Sequence, residues 1–244
     1  MFFQNDRILT MIKIFYAGDS TVQTNNIHTY PQTGIGQVLH LYLKPGIEVK
    51  NHARNGRSTK SFIDESRLVP IYDQISAGDY LFIQFGHNDE KIEDSARYTD
   101  PFGEYKVNLG KFINVARNKG ATPVLITPLA RRTFDENGML APSAHAEYVE
   151  AAKQVANEQN VAIIDLTSKS RAALTKMGQE ESVKLYMHLE KGEYPSCPEG
   201  KIDNTHLKHA GAVFYAGLIA EGLRELGGQY EELLANPEDI ENLT

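Results

Sequence analysis

The chain has 244 residues, of which 41% are hydrophobic and 23% charged, a composition typical of a globular protein with one α/β domain. Its formal net charge of −7 argues against a nucleic-acid partner, because binding to phosphates requires a basic surface. No apolar run reaches the roughly 20 residues that a membrane-spanning helix needs, so we also expect no membrane partner.

The N-terminal segment contains no signal-peptide pattern, because polar residues at positions 5–7 interrupt its apolar run. Met11 is a second candidate for the native start, in which case residues 1–10 are an upstream extension. The single cysteine, Cys197, excludes an intrachain disulfide. These features favour a cytoplasmic protein, although a mature secreted chain without its signal peptide would look similar.

Alternating apolar runs and amphipathic segments indicate the fold. Near-continuous apolar runs, typical of parallel strands buried on both faces, predict strands at 12–17, 47–53, 80–85, 122–127 and 161–166. Amphipathic patterns predict helices near 35–42, 102–119, 148–156 and 209–226. This order predicts a three-layer, doubly wound α/β fold, with one domain over 1–244 and a core of about 11–228. Longer irregular stretches are predicted at 89–101, 128–146 and 178–204, near the edge where such sheets bind ligands.

Gly18, Asp19 and Ser20 end the first predicted strand. A serine hydroxyl becomes a nucleophile when a base removes its proton and nearby N–H groups stabilise the oxyanion. A turn from this strand into a helix N-terminus would offer such donors, and Gly18 would permit a tight bend. For the tripeptide alone, a serine that caps a helix is the commoner explanation.

The second and third predicted strands also end in candidate residues. In NHARNGRSTKSF, Gly56 offers an unshielded N–H to a substrate oxygen, although a turn glycine is the simpler explanation, and Ser58 is a candidate helix cap. In IQFGHNDE, the amide of Asn88 is either an oxyanion donor or a turn former. In the same motif, Asp89 is a candidate for ordering the loop and His87 for a core histidine.

The motif KIDNTHLKHAGA places Asp203 and His206 three residues apart on a predicted loop before the last helix. One turn would bring the carboxylate to the imidazole, where it would fix the ring tautomer and stabilise the imidazolium. For a lone pair at this spacing, a capping aspartate and a surface histidine is the commoner explanation. The shared sheet edge nevertheless predicts that serine, aspartate and histidine meet in one pocket.

The four motifs in this order, at 18–20, 56, 86–89 and 203–206, resemble the four conserved blocks of the SGNH (GDSL-type) hydrolases. The resemblance covers residues 15 to about 225. It implies a flavodoxin-like, five-stranded parallel sheet and a serine esterase that uses no metal or other cofactor.

Carried over by position, the resemblance makes Ser20 the nucleophile, His206 its base and Asp203 the residue that orients the base. The oxyanion hole would consist of the backbone N–H groups of Ser20 and Gly56 and the side-chain amide of Asn88. The segments GDSTV, PLARR and DNTHL are similar to the rhamnogalacturonan acetylesterase branch, which implies an acetylated pectic oligosaccharide as substrate. Secreted members carry signal peptides and often disulfides, and their absence here favours an intracellular enzyme for imported oligosaccharides.

Four arginines near the predicted site are candidates for binding the carboxylates of such a substrate, because guanidinium groups match carboxylate geometry. Arg54 and Arg57 flank Gly56, and Arg131 and Arg132 follow the fourth predicted strand. For each of them, a solvated surface charge is the alternative.

Other functions stay open at this level. Within the superfamily, the substrate is alternatively an acetyl-xylan, a lipid ester or a thioester. A metal-dependent phosphoesterase would draw its ligands from Asp203, His206 and His209, although no second acidic cluster is present to hold paired metals. A further alternative is a carbohydrate-binding module that has the same fold but catalyses no reaction. The sequence does not indicate an oligomeric state.

Overall fold

The computed structural model describes residues 11–236, so the upstream extension considered at residues 1–10 lies outside the described residues. Five strands form one parallel sheet in the order β2-β1-β3-β4-β5. The strands are β1 (Lys13–Gly18), β2 (Glu48–Asn51), β3 (Tyr80–Gln84), β4 (Thr122–Ile126) and β5 (Ala162–Ile164). Four of them fall within a predicted run, and β1 extends one residue past its run, to Gly18. The order is that of flavodoxin-like sheets, which confirms the predicted fold class.

Helices connect these strands and continue beyond them. In chain order they are α1 (Ile35–Val38), α2 (Thr59–Asp64), α3 (Val69–Gln74), α4 (Lys106–Asn118), α5 (Ala146–Gln159), α6 (Leu166–Ser182), α7 (His209–Leu226) and α8 (Gly228–Glu231). Short 3₁₀ turns occupy Ile27–Thr29, Leu39–Tyr42 and Val183–Leu185, and a π-helical turn, Pro101–Tyr105, leads into α4. The four predicted helices correspond to α1 with its 3₁₀ continuation, α4, α5 and α7.

The alternation of side chains along β1 divides the core into two layers. Ile14 and Tyr16 pack against apolar residues of α1, α6 and α7 on one face of the sheet. Phe15 and Ala17 pack against α2, α3, α4 and α5 on the other face. Because both faces are covered, the central strands are continuously apolar.

Local signals fix the helix ends that bear on the site. Ser58 caps α2, as predicted, since its hydroxyl accepts from the Ser61 N–H and its own N–H donates to Ser61 Oγ at 2.9 Å. This cap holds the segment that follows Gly56. At the other end of the chain, α7 ends at Leu226, and the N–H of the capping residue Gly227 donates to the carbonyls of Leu223 and Arg224.

The segment 178–207 differs from the irregular structure that the sequence predicts. Helix α6 continues through a kink at Gly178 to Ser182. Strands β6 (Tyr186–Leu189) and β7 (Lys201–Leu207) then form a separate antiparallel hairpin. The prediction that the motif with Asp203 and His206 lies on a loop is therefore wrong.

The physical reason is a shift in strand register. Met187 pairs with Asp203, but the preceding Tyr186 pairs with Leu207, so residues 204–206 bulge out of the ladder. Strand β7 is mostly polar because much of it faces the site rather than a core. Its sequence therefore resembles a loop even though its two ends are paired.

Candidate active site

A cavity of about 360 Å³ opens at the carboxyl ends of β1 and β3. This is the point at which successive connections leave β1 and β3 in opposite directions along the sheet, where doubly wound folds form a crevice. Residues from all four motifs and from neighbouring loops line it: Ser20, Gln32, Asn55, Gly56, His87, Asn88, Lys91, Arg97, Arg131, Asp203, Thr205 and His206.

Ser20 stands in a single backbone turn at the end of β1. The Asp19 carbonyl closes this turn by accepting from the N–H groups of Val22 at 3.2 Å and Gln23 at 3.1 Å. The Asp19 carboxylate accepts from the N–H and the hydroxyl of Thr21, both at 2.8 Å. Burial raises the pKa of Asp19 above its ordinary value, and the bonds from Thr21 oppose that rise. Asp19 therefore shapes the turn that presents Ser20.

The expected helix N-terminus directly after Ser20 is not formed. The carbonyl groups of Thr21 and Val22 accept instead from the N–H groups of Ile35 at 2.8 Å and Gly36 at 3.1 Å. These carbonyls are thus unavailable for a helix that continues from the turn. Backbone hydrogen bonds therefore connect this turn to α1, but no helix continues directly from the turn.

Two glycines of the motifs are required for different reasons. A Cβ on Gly18 would lie 3.0 Å from the Gln84 carbonyl oxygen and 2.9 Å from Val22 Cγ2, so a larger residue does not fit between β1 and β3. Gly56 has a φ of +76°, which L side chains rarely adopt, while the nearest atom to an added Cβ would be Arg97 Nη1 at 3.9 Å. Gly18 provides space, and Gly56 provides a backbone conformation.

The structure brings Ser20, His206 and Asp203 into one hydrogen-bonded row. His206 Nδ1 lies 2.7 Å from Asp203 Oδ2, and His206 Nε2 lies 2.9 Å from Ser20 Oγ. Because a carboxylate only accepts, Nδ1 carries the proton and Nε2 is left to accept from the hydroxyl. This is the tautomer that a general base for Ser20 needs.

The Asp203 carboxylate is fully occupied by donors. Its Oδ1 accepts from the backbone N–H groups of Thr205 and His206, both at 2.9 Å, and its Oδ2 also accepts from Lys201 Nζ at 2.9 Å. Burial alone would raise the pKa of Asp203, but the bonds from His206 and Lys201 hold it well below its usual range. Asp203 is thus a stable anion that both orients the ring and closes the bulge.

Arg132 contacts the bulge at Asn204 and does not line the cavity. It is 5% exposed, and its guanidinium donates to Ser182 Oγ at 2.9 Å, to Asn204 Oδ1 at 3.1 Å and to the Gln179 carbonyl. Its backbone N–H donates to the Asn204 carbonyl at 2.9 Å. Burial lowers the pKa of Arg132 from its ordinary value. These contacts give Arg132 a packing role in place of the expected contact with substrate.

The three expected oxyanion donors meet at the same cavity as Ser20. In residues 11–236, the backbone N–H groups of Ser20 and Gly56 donate to no other residue. Asn88 is 4% exposed, and its Nδ2 donates to the Arg57 carbonyl at 3.1 Å while its Oδ1 accepts from Arg97 Nη1 at 3.3 Å. Two backbone N–H groups and one side-chain amide thus belong to residues that line the cavity together with the Ser20 hydroxyl.

Asp89 joins the loop after β3 to the start of α2. Its Oδ1 accepts from the Thr59 N–H and from the Thr99 hydroxyl, both at 3.0 Å, while its carbonyl accepts from the Tyr148 hydroxyl at 2.9 Å. Burial raises the pKa of Asp89 to about 7, against the bonds from Thr59 and Thr99. These bonds agree with the loop-ordering role considered for Asp89.

His87 is buried beside the cavity at 3% exposure, and neither ring nitrogen has a partner among the described residues. Its ring packs edge-on against His145, with 4.3 Å between centroids. Burial is the main cause that lowers the pKa of His87 well below its usual range, and the nearby His145 and Arg131 lower it further. The ring is therefore neutral. Behind it, Glu90 accepts from both His145 Nδ1 and Arg131 Nη2.

The arginines that the sequence suggests for substrate binding are placed differently from one another. Arg131 lines the cavity while paired with Glu90. Arg54 is exposed, and the Arg57 guanidinium pairs with Glu65 at 2.8 Å; neither residue lines the cavity.

Two further cations of the cavity, Lys91 and Arg97, have no counterpart among the predicted candidates. Both lie in the irregular stretch 89–101, whose length and position after β3 already marked it as functional. The sequence signal for both residues is that they are basic side chains within this long irregular stretch. Lys91 has no ion-pair partner among residues 11–236, whereas Arg97 pairs with Asp94.

Two properties of residues 11–236 bear on the alternative functions. No cluster of three or more His, Cys, Asp or Glu side chains in residues 11–236 is arranged to hold a metal ion. Over the same residues, none of the helices has both the length and the apolar surface for a bilayer crossing.

Comparisons with known proteins place the chain in a family. Residues 16–212 match the GDSL-like lipase/acylhydrolase family. The chain is 42% identical over 232 residues to the rhamnogalacturonan acetylesterase RhgT of Bacillus subtilis (strain 168), covering 95% of this chain and 98% of RhgT. It is 44% identical over 214 residues to YesY of the same strain, a probable rhamnogalacturonan acetylesterase, and the match covers 88% of this chain and 93% of YesY.

Solved structures share the fold of this chain. The crystal structure of Bacillus subtilis YxiM superposes with a TM-score of 0.73 at 29% identity, over 90% of this chain and 58% of that one. A catalytic mutant of an acetylxylan esterase from Geobacillus stearothermophilus shares the fold at a TM-score of 0.57 and 18% identity, over 90% and 95%. The motifs, the sheet order and the match over residues 16–212 show that this chain belongs to the GDSL-like lipase/acylhydrolase (SGNH) family.

Proposed function

We propose that the chain is a serine esterase that removes O-acetyl groups from rhamnogalacturonan-type oligosaccharides of pectin through an acetyl-enzyme intermediate. The observation that carries the proposal is the row from Ser20 Oγ through His206 to Asp203, which joins side chains 186 positions apart in the sequence. The activity named for RhgT and YesY supports the choice of substrate class.

Acylation begins when His206 Nε2 takes the Ser20 proton as Oγ attacks the acetyl carbonyl carbon. The N–H groups of Ser20 and Gly56 and the Asn88 amide stabilise the negative oxygen of the tetrahedral intermediate. Asp203 stabilises the imidazolium that forms. Collapse of the intermediate breaks the bond to the sugar oxygen, which leaves as a hydroxyl with the proton from His206.

Deacylation repeats these steps with water. His206 Nε2 takes a proton from the water as its oxygen attacks the acetyl-enzyme carbonyl, and the same donors hold the second oxyanion. Acetate leaves, and the proton on His206 returns to Ser20 Oγ. The enzyme is restored without any cofactor.

The charges of the cavity suit an acidic substrate even though the chain carries a net charge of −7. Lys91, Arg97 and Arg131 line the cavity, while its carboxylate, Asp203, is already occupied by His206 and Lys201. Local cations outweigh net charge in binding because salt screens distant charges over about 8 Å. Within the proposal, Lys91 and Arg131 bind the carboxylate of a galacturonate-type sugar.

The test of the reaction is acetate release from acetylated rhamnogalacturonan, acetylated xylan and simple sugar acetates. We expect the wild type to prefer the first substrate and to keep its activity with a chelator present. Ser20→Ala should release no acetate above background while it folds normally. A wild type that prefers xylan, or that loses activity to the chelator, would overturn the proposed specificity or mechanism respectively.

The test of the charges compares the double variant Lys91→Met/Arg131→Met with Lys184→Met, which removes an exposed cation outside the cavity lining. For the acidic oligosaccharide, the double variant should raise KM about tenfold or more, on the scale of one lost charge-assisted bond. KM for the neutral ester p-nitrophenyl acetate should stay unchanged. Equal KM values for the acidic substrate in both variants would exclude these two cations from binding.

A further inference from the structure

The orientation of the Asn88 amide decides whether it donates or accepts at the cavity. The two ends of an amide have nearly the same shape, and only Nδ2 can stabilise an oxyanion. Nδ2 donates to the Arg57 carbonyl at 3.1 Å, and Oδ1 accepts from Arg97 Nη1 at 3.3 Å. A flipped amide would bring two acceptors together at Arg57 and two donors together at Arg97. The two contacts therefore select the orientation that keeps Nδ2 as the donor.

Arg97 is itself held in place by Asp94. The Asp94 carboxylate accepts from Arg97 Nε and Nη2, both at 2.6 Å. The backbone of the same segment forms a turn, because the Asp94 carbonyl accepts from the N–H groups of Arg97 at 2.9 Å and Tyr98 at 2.7 Å. With these donors engaged, Nη1 is the part of the guanidinium that reaches Asn88.

The guanidinium lies beside two of the three expected oxyanion donors. Arg97 Nη1 contacts Asn88, and it would be the nearest atom, at 3.9 Å, to a Cβ built on Gly56. A bulkier or misplaced group at this point would disturb both donors at once. Small displacements of such donors matter because the oxyanion forms only in the transition state.

We infer that Arg97 is a positioning residue of the oxyanion hole, which fixes the Asn88 amide with its Nδ2 available to the developing oxyanion. The inference rests on the proposed function, because it requires Asn88 to act as an oxyanion donor. It assigns a role to the Asp94–Arg97 turn that none of the four motifs includes.

The first measurement is the kinetics of Arg97→Met with p-nitrophenyl acetate, a neutral ester that needs no cation for binding. We expect kcat to fall at least about tenfold, with KM changed by less than about twofold, since the lost interaction acts in the transition state. Arg67→Met is the matched control, because Arg67 also pairs with a nearby acid, Glu65, but does not line the cavity. An unchanged kcat in Arg97→Met would overturn the inference.

The second measurement is a double-mutant cycle with Asn88→Ala, which alone should lower kcat about 10²–10³-fold. If Arg97 acts through Asn88, adding Arg97→Met to Asn88→Ala should change kcat by less than about twofold. Multiplicative losses would overturn the inference. If Arg97→Met does not fold, Arg97→Lys replaces it: this variant keeps a donor for Oδ1 and should show a smaller loss that also vanishes beside Asn88→Ala.

The two proposals fail in distinguishable ways. A normal kcat in Asn88→Ala would remove Asn88 from the oxyanion hole and overturn both the proposed mechanism and the role of Arg97. A damaged Asn88→Ala beside an undamaged Arg97→Met would overturn the role of Arg97 alone.

Discussion

Ser20 and Asn88 follow β1 and β3, two neighbouring strands at the centre of the parallel sheet, whereas Asp203 and His206 lie on the β6–β7 hairpin outside that sheet. The residues of β3 are all buried, and backbone ladders on both sides fix the ends of β1 and β3. Most of β7 is only half-buried, and its ladder is broken at the bulge that carries His206.

The two regions differ in what fixes the positions of their site residues. We call the region of Ser20 and Asn88 the sheet half and the region of Asp203 and His206 the hairpin half. In the sheet half, burial and backbone pairing place Ser20 and Asn88. In the hairpin half, a few polar contacts do so: the Asp203 carboxylate, the Arg132 guanidinium and the bond from the Thr33 N–H to the Leu207 carbonyl at 2.9 Å. Among residues that only support the site, we therefore expect single polar substitutions to cause the largest losses in the hairpin half.

Apart from the complete loss predicted for Ser20→Ala, the largest effect is expected from Asp203→Asn. The carboxamide oxygen should stay at the Oδ1 position, where it accepts the N–H groups of Thr205 and His206. The NH₂ group then faces His206 Nδ1, which selects the wrong ring tautomer, so kcat should fall about 10⁴-fold. Kinetics with p-nitrophenyl acetate and a circular dichroism spectrum check this result.

The control for Asp203→Asn is Ser20→Ala, which removes the proposed nucleophile from the sheet half. Both variants should fold like the wild type. A variant Asp203→Asn that keeps more than about one-tenth of the wild-type kcat would show that the carboxylate does not set the tautomer.

The next effect is expected from Arg132→Met, which tests how far the hairpin depends on a single side chain. Its loss leaves Asn204 Oδ1 with one fewer donor and the Gln179 carbonyl without the guanidinium, at a cost of about 3 kcal/mol in unfolding free energy. Displacement of the bulge should also lower kcat about 10²-fold. Urea denaturation and kinetics on the folded fraction measure the two effects.

Arg131→Met is the matched variant, because it removes the adjacent arginine from the cavity side. It should cost less than about 1 kcal/mol in stability, since Arg131 forms a partly exposed ion pair. Equal losses of stability in the two variants would contradict the special dependence of the hairpin on Arg132.

These neighbours also illustrate what the sequence predicts and what it leaves undetermined. The five strands were predictable because burial on both faces makes each run continuously apolar. The four motifs were predictable because they follow strand ends or precede a helix. Adjacent positions 131 and 132 look alike in sequence, yet one side chain enters the cavity and the other is buried behind the hairpin. That choice depends on packing between distant segments.

The hairpin was not predictable for a related reason. Strand β6 has only four residues, β7 is mostly polar, and the pairing skips three residues, so no alternating pattern marks the hairpin. Likewise, Arg97 approaches Asn88 only because Asp94 folds the intervening turn. Periodic patterns do not reveal side chains that turns and bulges place, and in this protein such side chains contact Asn88 and hold the bulge that carries His206.

An effect on the pH dependence of stability alone is expected from Asp89→Asn, which tests the sheet half. The pKa of Asp89 is about 7 in the folded chain and near 3.8 when unfolded. Between these values the unfolded state loses its proton first, so stability should fall as pH rises from about 4 to 7 and then level off. Asp89→Asn lacks this contribution, and the difference in unfolding free energy between wild type and variant should follow the same decline.

Urea denaturation at a series of pH values measures that difference, in which the titration of all other groups largely cancels. Parallel stability profiles for the two proteins would mean that Asp89 is ionised in the folded chain throughout. The link between the loop after β3 and α2 would then depend on a charged carboxylate.

The smallest effect is expected from Ile202→Thr, one residue before Asp203. Ile202 is 83% exposed, because alternation along β7 turns its side chain away from the site. Stability should change by less than about 0.5 kcal/mol and kcat should not change, as denaturation and p-nitrophenyl acetate kinetics would show. A loss of activity would mean that the hairpin depends on its outer surface as well as on its polar contacts. The hairpin half would then differ from the sheet half because its side chains are more exposed, and not because a few hydrogen bonds hold its bulge.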